Sequence, residues 1–181
     1  MKHLRYTLIV ALLSTMAGCE FTNSPLLVEG AFVNASFRVD QEGLPANTPF
    51  GTAAMLRLTD VLDNVSAAAD SIKIYNITVM IDSTAGSAPA ATPISGLASI
   101  DGITLFSLDN VPLSSLGREH SIFDASVPGC SFNASGVLHL VQSLRQNPPP
   151  DVSVAVIGSS SAAALHFTLH VKIYTQVYTT P

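Results

Sequence analysis

Near the carboxyl end of the chain stands the run LHFTLHVKIYTQVY, residues 165–178, in which apolar and polar side chains alternate almost without interruption. A period of two is that of a β-strand with one buried face. A strand that is apolar on one face and polar on the other is typical of an antiparallel sheet. The run therefore predicts a long strand whose buried side carries Leu165, Phe167, Leu169, Val171, Ile173 and Val177, with His166, Thr168, His170, Lys172, Tyr174, Gln176 and Tyr178 on the other side.

Five further segments have strand character. They are residues 31–40, 54–59, 71–82, 97–108 and 152–157. Residues 71–82 are rich in β-branched side chains on both faces, which is typical of a strand in the middle of a sheet. A bend is expected at Asp101-Gly102, because this dipeptide favours tight hairpins.

Glycine, proline and serine mark the connections, which are predicted at residues 41–51, 83–96 and 158–161. Residues 110–129 have little periodicity. Residues 60–70 predict one or two helical turns. Residues 136–146 fit both a helix and a strand, and we favour the helix because Asn133 or Ser135 can cap it.

Many short strands with glycine and proline punctuation indicate a sandwich. The predicted fold is all-β, an antiparallel β-sandwich of immunoglobulin-like type with one or two short helices, spanning residues 31–181. Hydrophobic residues make up 48% of the chain and charged residues 12%, which excludes global disorder. The length fits one domain.

The amino terminus has the features of a signal peptide. Lys2, His3 and Arg5 form a basic region, and residues 6–13 form an apolar segment. The segment is too short to span a bilayer, which needs roughly 20 apolar residues. Removing residues 1–18 takes two positive charges from a formal net charge of −5 and leaves −7. Nucleic acid is therefore not expected as a partner, because phosphate binding needs a clustered positive surface.

Residues 13–19 read LSTMAGC, with small residues directly before a cysteine. This arrangement resembles the lipobox of bacterial lipoproteins, although Met16 stands where that family most often has Leu. The resemblance implies that a lipid is added to the sulfur of Cys19, that cleavage follows Gly18, and that the new amino terminus is acylated. The lipid bilayer, reached through acylated Cys19, is then the expected partner.

By this resemblance, residues 1–18 are a lipoprotein signal peptide and residues 19–30 are the lipidated amino terminus and a tether. Glu20 follows the cysteine, and by analogy with enterobacterial sorting this favours the outer membrane. The alternative is an ordinary secretory signal without lipid, in which case Cys19 and Cys130 can form a disulfide. With lipid on Cys19, Cys130 is left unpaired, and a free thiol in an oxidising compartment is more often buried than reactive.

No group of residues in the sequence indicates a metal, a cofactor or a catalytic site. His166 and His170 share a face, but four residues of strand separate them by roughly 13 Å, too far to hold one zinc ion. His120 and His139 are isolated. The sequence has no Gly-x-Ser-x-Gly, phosphate-binding glycine loop or Cys-x-x-Cys. Asp60, Asp63, Asn64 and Asp70 lack the spacing of a dedicated calcium loop.

Four asparagines, Asn34, Asn64, Asn76 and Asn133, begin Asn-x-Ser/Thr triplets. In a eukaryotic secreted protein they would be glycan acceptors. We interpret them as chance occurrences, since Asn76 lies in a strand predicted to be buried.

Three functional hypotheses remain at this stage. The preferred one is a non-enzymatic cell-envelope lipoprotein with a structural or interaction module. The second is a module that binds an apolar or glycan ligand near the membrane, either in a cavity between the sheets or on an exposed platform of Tyr and Phe. The third is a hydrolase that uses scattered residues such as Asp101, Asp124 or His120.

Overall fold

The computed structural model describes residues 27–63, 69–83, 89–125 and 127–179. The long β-strands are β1 (Leu27–Gln41), β2 (Phe50–Arg57), β3 (Ala69–Ser83), β4 (Pro93–Ile100), β5 (Ile103–Pro112), β8 (Asp151–Ser160) and β9 (Leu165–Thr179). Two strands are very short, β6 (His120–Ser121) and β7 (Cys130–Phe132). The helices are α1 (Asp60–Asp63), α2 (Ala134–Leu144) and a 3-10 turn at Leu113–Leu116.

The strands form two sheets in the orders β1-β9-β3-β6 and β2-β8-β4-β5-β7, and every pairing is antiparallel. The predicted antiparallel β-sandwich is therefore confirmed. The first long strand pairs with the last, and β2 pairs with β8. This nesting of outer strands around inner ones is the connectivity of a jelly roll, which differs from the strand order of the immunoglobulin-like type.

Strand β9 lies between β1 and β3 over almost its whole length. Its side chains alternate between buried and half-buried, as the sequence predicts. The buried side faces the second sheet, where the ring of Phe167 packs edge-to-face on that of Phe50 at 5.7 Å. Residues 71–82 fall in β3, which pairs with β9 along its length and with the short β6 only at Thr78 and Val79, so the expected central position holds for that part of the strand alone.

The hairpin between β4 and β5 turns at the predicted dipeptide. Asp101 and Gly102 have φ angles of 48° and 82°, and a type I′ hairpin turn requires positive φ at both of its central residues. The expected bend is confirmed.

The ambiguous segment after Asn133 is a helix, as favoured. The side chain of Asn133 accepts a hydrogen bond from the backbone N–H of Ser135 at 2.9 Å and caps α2. Leu140 and Leu144 are buried. At Gly136 the helix comes so close to β5 that an added Cβ would lie 2.2 Å from the carbonyl oxygen of Thr104.

Several predicted boundaries differ from the structure. Strand β1 begins at Leu27, inside the segment expected to be a tether. The loop expected over residues 83–96 overlaps β4, which starts at Pro93, a first position where the missing N–H of proline is tolerated.

The turn expected over residues 158–161 is mostly strand, because β8 continues to Ser160. Gly158 marks a close approach instead of a turn: an added Cβ would lie 2.5 Å from the ring of Phe50. In the segment 60–70, one helical turn is present at α1, and residues 64–68 lie outside the described residues.

Candidate functional site

The outer surface of the four-stranded sheet concentrates the tyrosines of the chain. Outward residues of β1, β9 and β3, together with Glu119 beside β6, form what we call the tyrosine face. Tyr75, Tyr174 and Tyr178 all belong to it, and the fourth tyrosine of the sequence, Tyr6, precedes Cys19. Tyr is enriched at binding surfaces, because it joins a large apolar ring to a polar tip.

Three aromatic rings lie in a row across this face. Tyr174 stands on the middle strand, with the ring of Phe32 at 5.9 Å on one side and that of Tyr75 at 5.8 Å on the other. Phe32 is 57% exposed and Tyr75 is 54% exposed. Successive ring planes are turned by 41° and 48°. This aromatic row is a Tyr and Phe platform of the kind that the binding-module hypothesis requires.

A bulge in β3 places the third ring. Ile74 pairs with Thr175 and Asn76 with Tyr174, so Tyr75 is an extra residue opposite the partner strand. Bulges re-aim side chains in this way. The bulge also breaks the alternation of β3, so sequence periodicity gives no indication that Tyr75 joins Phe32 and Tyr174 in one row.

Glu119 fixes one side of the row. Its carboxylate accepts hydrogen bonds from the hydroxyl of Tyr174 at 2.7 Å and from the ammonium of Lys172. Lys172, followed by Tyr174, lowers the pKa of Glu119, and Glu119 raises the pKa of both partners. These contacts orient the ring of Tyr174.

On the other side of the row, the ammonium of Lys73 lies 4.7 Å from the centre of the Tyr178 ring. The hydroxyl of Tyr178 donates to the side-chain oxygen of Gln176 at 3.1 Å. Gly30, the cross-strand partner of Gln176, leaves open space where a Cβ would point. The row is thus bordered by polar groups and by an unfilled position.

His166 and His170 lie on this face, as predicted, and each contacts a carboxylate on a neighbouring strand. His166 is 2.5 Å from Asp40, and His170 is 3.1 Å from Asp82 and 2.9 Å from the hydroxyl of Ser36. The hydrogen bond with His166 is the main cause that lowers the pKa of Asp40. Within residues 27–63, 69–83, 89–125 and 127–179, no group of three or more His, Cys, Asp or Glu side chains is arranged to hold a metal ion.

The residues considered for hydrolysis are engaged in structural contacts or lie elsewhere. Asp101 accepts hydrogen bonds from His139 on α2 at 3.0 Å and from the backbone N–H of Ser153 on β8 at 2.9 Å. It therefore ties the β4–β5 turn to both elements. His120 lies in β6, paired with Val79 of β3, and Asp124 lies in the following loop.

Asp101 makes stability depend on pH. Burial raises its pKa, but the hydrogen bonds from His139 and Ser153 outweigh this effect, so the pKa lies below the ordinary value of 3.8. A carboxylate with a lowered folded-state pKa stabilises the protein above its unfolded-state pKa, and the contribution is lost as the pH falls through the folded-state value.

We expect Asp101→Asn to reduce the free energy of unfolding at pH 7 by less than about 1 kcal/mol, because the carboxylate is partly solvated. The difference from wild type should shrink below about pH 4 and vanish in stronger acid. Urea unfolding followed by circular dichroism from pH 3 to 8 measures it. A difference that does not change with pH would show that the charge of Asp101 makes no contribution.

The other residues singled out in the sequence fall at separate places. The described residues do not include Cys19 or Asn64, and the side chain of Asp70 is not described either. Helix α1 begins at Asp60 and ends at Asp63. Cys130 is a free, half-buried thiol whose pKa is raised by burial, which suits a structural cysteine.

The asparagines of the described triplets also have structural positions. Asn34 is exposed on β1 and Asn133 caps α2. Asn76, expected to be buried, is only half-buried: its side-chain oxygen accepts a hydrogen bond from Ser121 at 2.6 Å.

The void between the two sheets is too small for a ligand. The apolar cavity lined by Phe50, Ile94, Phe106, Val156 and Phe167 has a volume of about 10 Å³. That is about the room needed by one water molecule. This cavity therefore gives no support to the hypothesis that an apolar ligand binds between the sheets.

No known family matches the sequence, and no curated protein matches it. Among solved structures, the chain is similar to the decameric BFDV capsid protein, with a TM-score of 0.39 and 7% identity over 83% of this chain and 99% of that one. Within the described residues, no helix is both long and apolar enough to cross a membrane.

Proposed function

We propose that the protein is a non-catalytic, lipid-anchored protein of the bacterial cell envelope, whose jelly-roll domain is an interaction module that uses the tyrosine face. The aromatic row carries the proposal. Burying apolar surface is the main driving force for folding, yet two of its three rings remain more than half exposed. Exposed aromatic groups with a polar border are typical of surfaces that bind a partner.

The charged groups of the face support a binding role in preference to a catalytic one. Glu119 is held by Lys172 and Tyr174, and Asp40 by His166. The pKa of each of these carboxyl groups is lowered. A general acid at neutral pH needs a raised carboxyl pKa. These pairs therefore fit a role in shaping the surface.

The proposed anchor precedes the aromatic row in the chain by a short segment. Seven residues separate Cys19 from Leu27, where β1 begins. Phe32 follows five residues further along β1, roughly 16 Å from Leu27 at about 3.3 Å per residue. Acylation of Cys19 would thus tether the row to the lipid surface through this stretch of chain.

The anchor is tested by labelling cells with an alkyne fatty acid and separating their membranes by density. We expect wild type to carry label and to sediment with the outer membrane, and Cys19→Ser to lose both properties, because the thiol is the acylation site. Cys130→Ser is the matched control and should keep both. Label and membrane association that persist in Cys19→Ser would contradict the anchor.

The interaction face is tested by photo-crosslinking in intact cells. A photoreactive residue placed at Asn34, beside Phe32 on the tyrosine face, should form a crosslink to the bound partner. The same residue at Ala53, exposed on the opposite sheet, should form none. Equal crosslinking from both positions would contradict the assignment of the face.

A further inference from the structure

We infer that the aromatic row binds a single, twisted chain of neutral pyranose sugars that crosses the strands from Phe32 over Tyr174 to Tyr75. This inference rests on the proposed interaction face and names its ligand class. The ring centres follow one another at 5.9 and 5.8 Å, close enough for one extended chain of sugars to contact all three rings.

The chemistry of stacking selects a sugar. The face of an aromatic ring carries negative charge density. One face of a pyranose ring presents C–H groups with partial positive charge, while its edges carry hydroxyls. Such a ligand needs an apolar ring beneath it and hydrogen-bonding groups directly at its sides.

The border of the row provides those groups. Asn34 and Lys172 form the cross-strand pair on one side of the row, and Gln176 is on the other. Side chains on the same face of a strand are roughly 6.6 Å apart, so the apolar strip is only one ring wide. A protein interface instead surrounds its central anchors with a wider ring of contacts that excludes water.

Preorganisation and the charges beside Tyr174 fit a neutral ligand. Lys172 and Glu119 neutralise each other on one side of the row, and on the other side the ammonium of Lys73 is held over the ring of Tyr178. The Tyr174 ring is already held by its hydrogen bond to Glu119, which reduces the entropy lost when a ligand binds.

The angles between the ring planes favour a soluble sugar chain over the flat face of a crystalline polysaccharide. The rings are rotated by 41° and 48° relative to their neighbours, so all three cannot lie flat on one planar surface. A soluble chain whose successive units are rotated can follow them. A crystalline polysaccharide face cannot.

The test uses the full-length protein in detergent micelles. Soluble linear oligosaccharides of glucose, xylose, mannose and N-acetylglucosamine are titrated by calorimetry and by tyrosine fluorescence, which is informative because the chain has no Trp. Microcrystalline cellulose serves as the flat surface. We expect at least one soluble oligosaccharide of three or more units to bind, its monosaccharide to bind at least tenfold more weakly, and cellulose not to bind.

Phe32→Ala and Tyr75→Ala should each weaken binding about tenfold, because each removes one stacked ring. Both side chains are exposed, so the fold should persist. Phe132→Ala is the matched control: its ring is 48% exposed but lies on β7 of the other sheet, and its loss should not change affinity.

Oligosaccharide binding that survives both row substitutions would overturn the site. Failure of every oligosaccharide would overturn the ligand class. If no oligosaccharide binds, the crosslinking experiment still tests the face. A protein that crosslinks from position 34 when Tyr75 is present, but not in Tyr75→Ala, would show that the face binds a polypeptide and not a sugar. If, in addition, position 34 gave no more crosslinking than position 53, the proposed interaction face itself would be refuted.

Discussion

Phe167→Ala should lower the free energy of unfolding by about 3–5 kcal/mol, which is the range for removing a buried phenylalanine ring. Phe167 is 2% exposed and packs edge-to-face on Phe50 across the two sheets. Its ring also lines the small void between the sheets. Truncation would enlarge that void, since β9 is held by β1 and β3 and cannot move inward easily.

Urea unfolding followed by circular dichroism measures the loss. Domains of this size are stable by only about 5–15 kcal/mol, so the variant should unfold at a much lower urea concentration than wild type. Phe32→Ala makes the same chemical change at a site that is 57% exposed, and it should cost less than about 1 kcal/mol. Equal losses for both variants would refute the assignment of Phe167 to the core.

The buried faces of the strands were predictable because alternation is a local property. The run at residues 165–178 indicates which side chains of β9 are buried, and the side chain of Asn133 marks the start of α2. Turn chemistry is local as well, so Asp101-Gly102 identifies the β4–β5 hairpin. Each of these predictions depends on neighbouring residues alone.

Strand order was not predictable from the same signals. Alternation in β1 and β9 shows that each has a buried face, but it does not show that Phe32 pairs with Tyr174 across the chain. The jelly-roll connectivity depends on such distant pairings. Loops were wrongly predicted at Gly158 and Pro93, because glycine also occurs where backbones pack closely and proline also occurs at the start of strands.

The candidate site depends on long-range contacts for the same reason. Glu119 lies in a segment with little periodicity, and it meets Lys172 and Tyr174 only after the sheet has formed. Tyr75 enters the aromatic row through a bulge. The tyrosine content was visible in the sequence, and the concentration of Tyr75, Tyr174 and Tyr178 on one face was not.

Gly136→Ala should destabilise the protein by about 1–3 kcal/mol, the range for overpacking, although alanine is normally better than glycine inside a helix by about 1 kcal/mol. The sign reverses because an added Cβ would lie 2.2 Å from the carbonyl oxygen of Thr104 and 2.8 Å from the Cα of Leu105, both in β5. Backbone atoms cannot rotate away as a side chain can.

The methyl group should therefore push α2 off β5 and loosen the contact between His139 and Asp101. Urea unfolding gives the loss, and hydrogen exchange should show faster exchange in α2. Gly30→Ala is the matched control, since a Cβ there meets nothing within 4 Å, and it should be neutral or slightly stabilising. A gain in stability for Gly136→Ala would instead mean that intrinsic helix propensity outweighs packing, and that α2 is not seated so closely on the sheet.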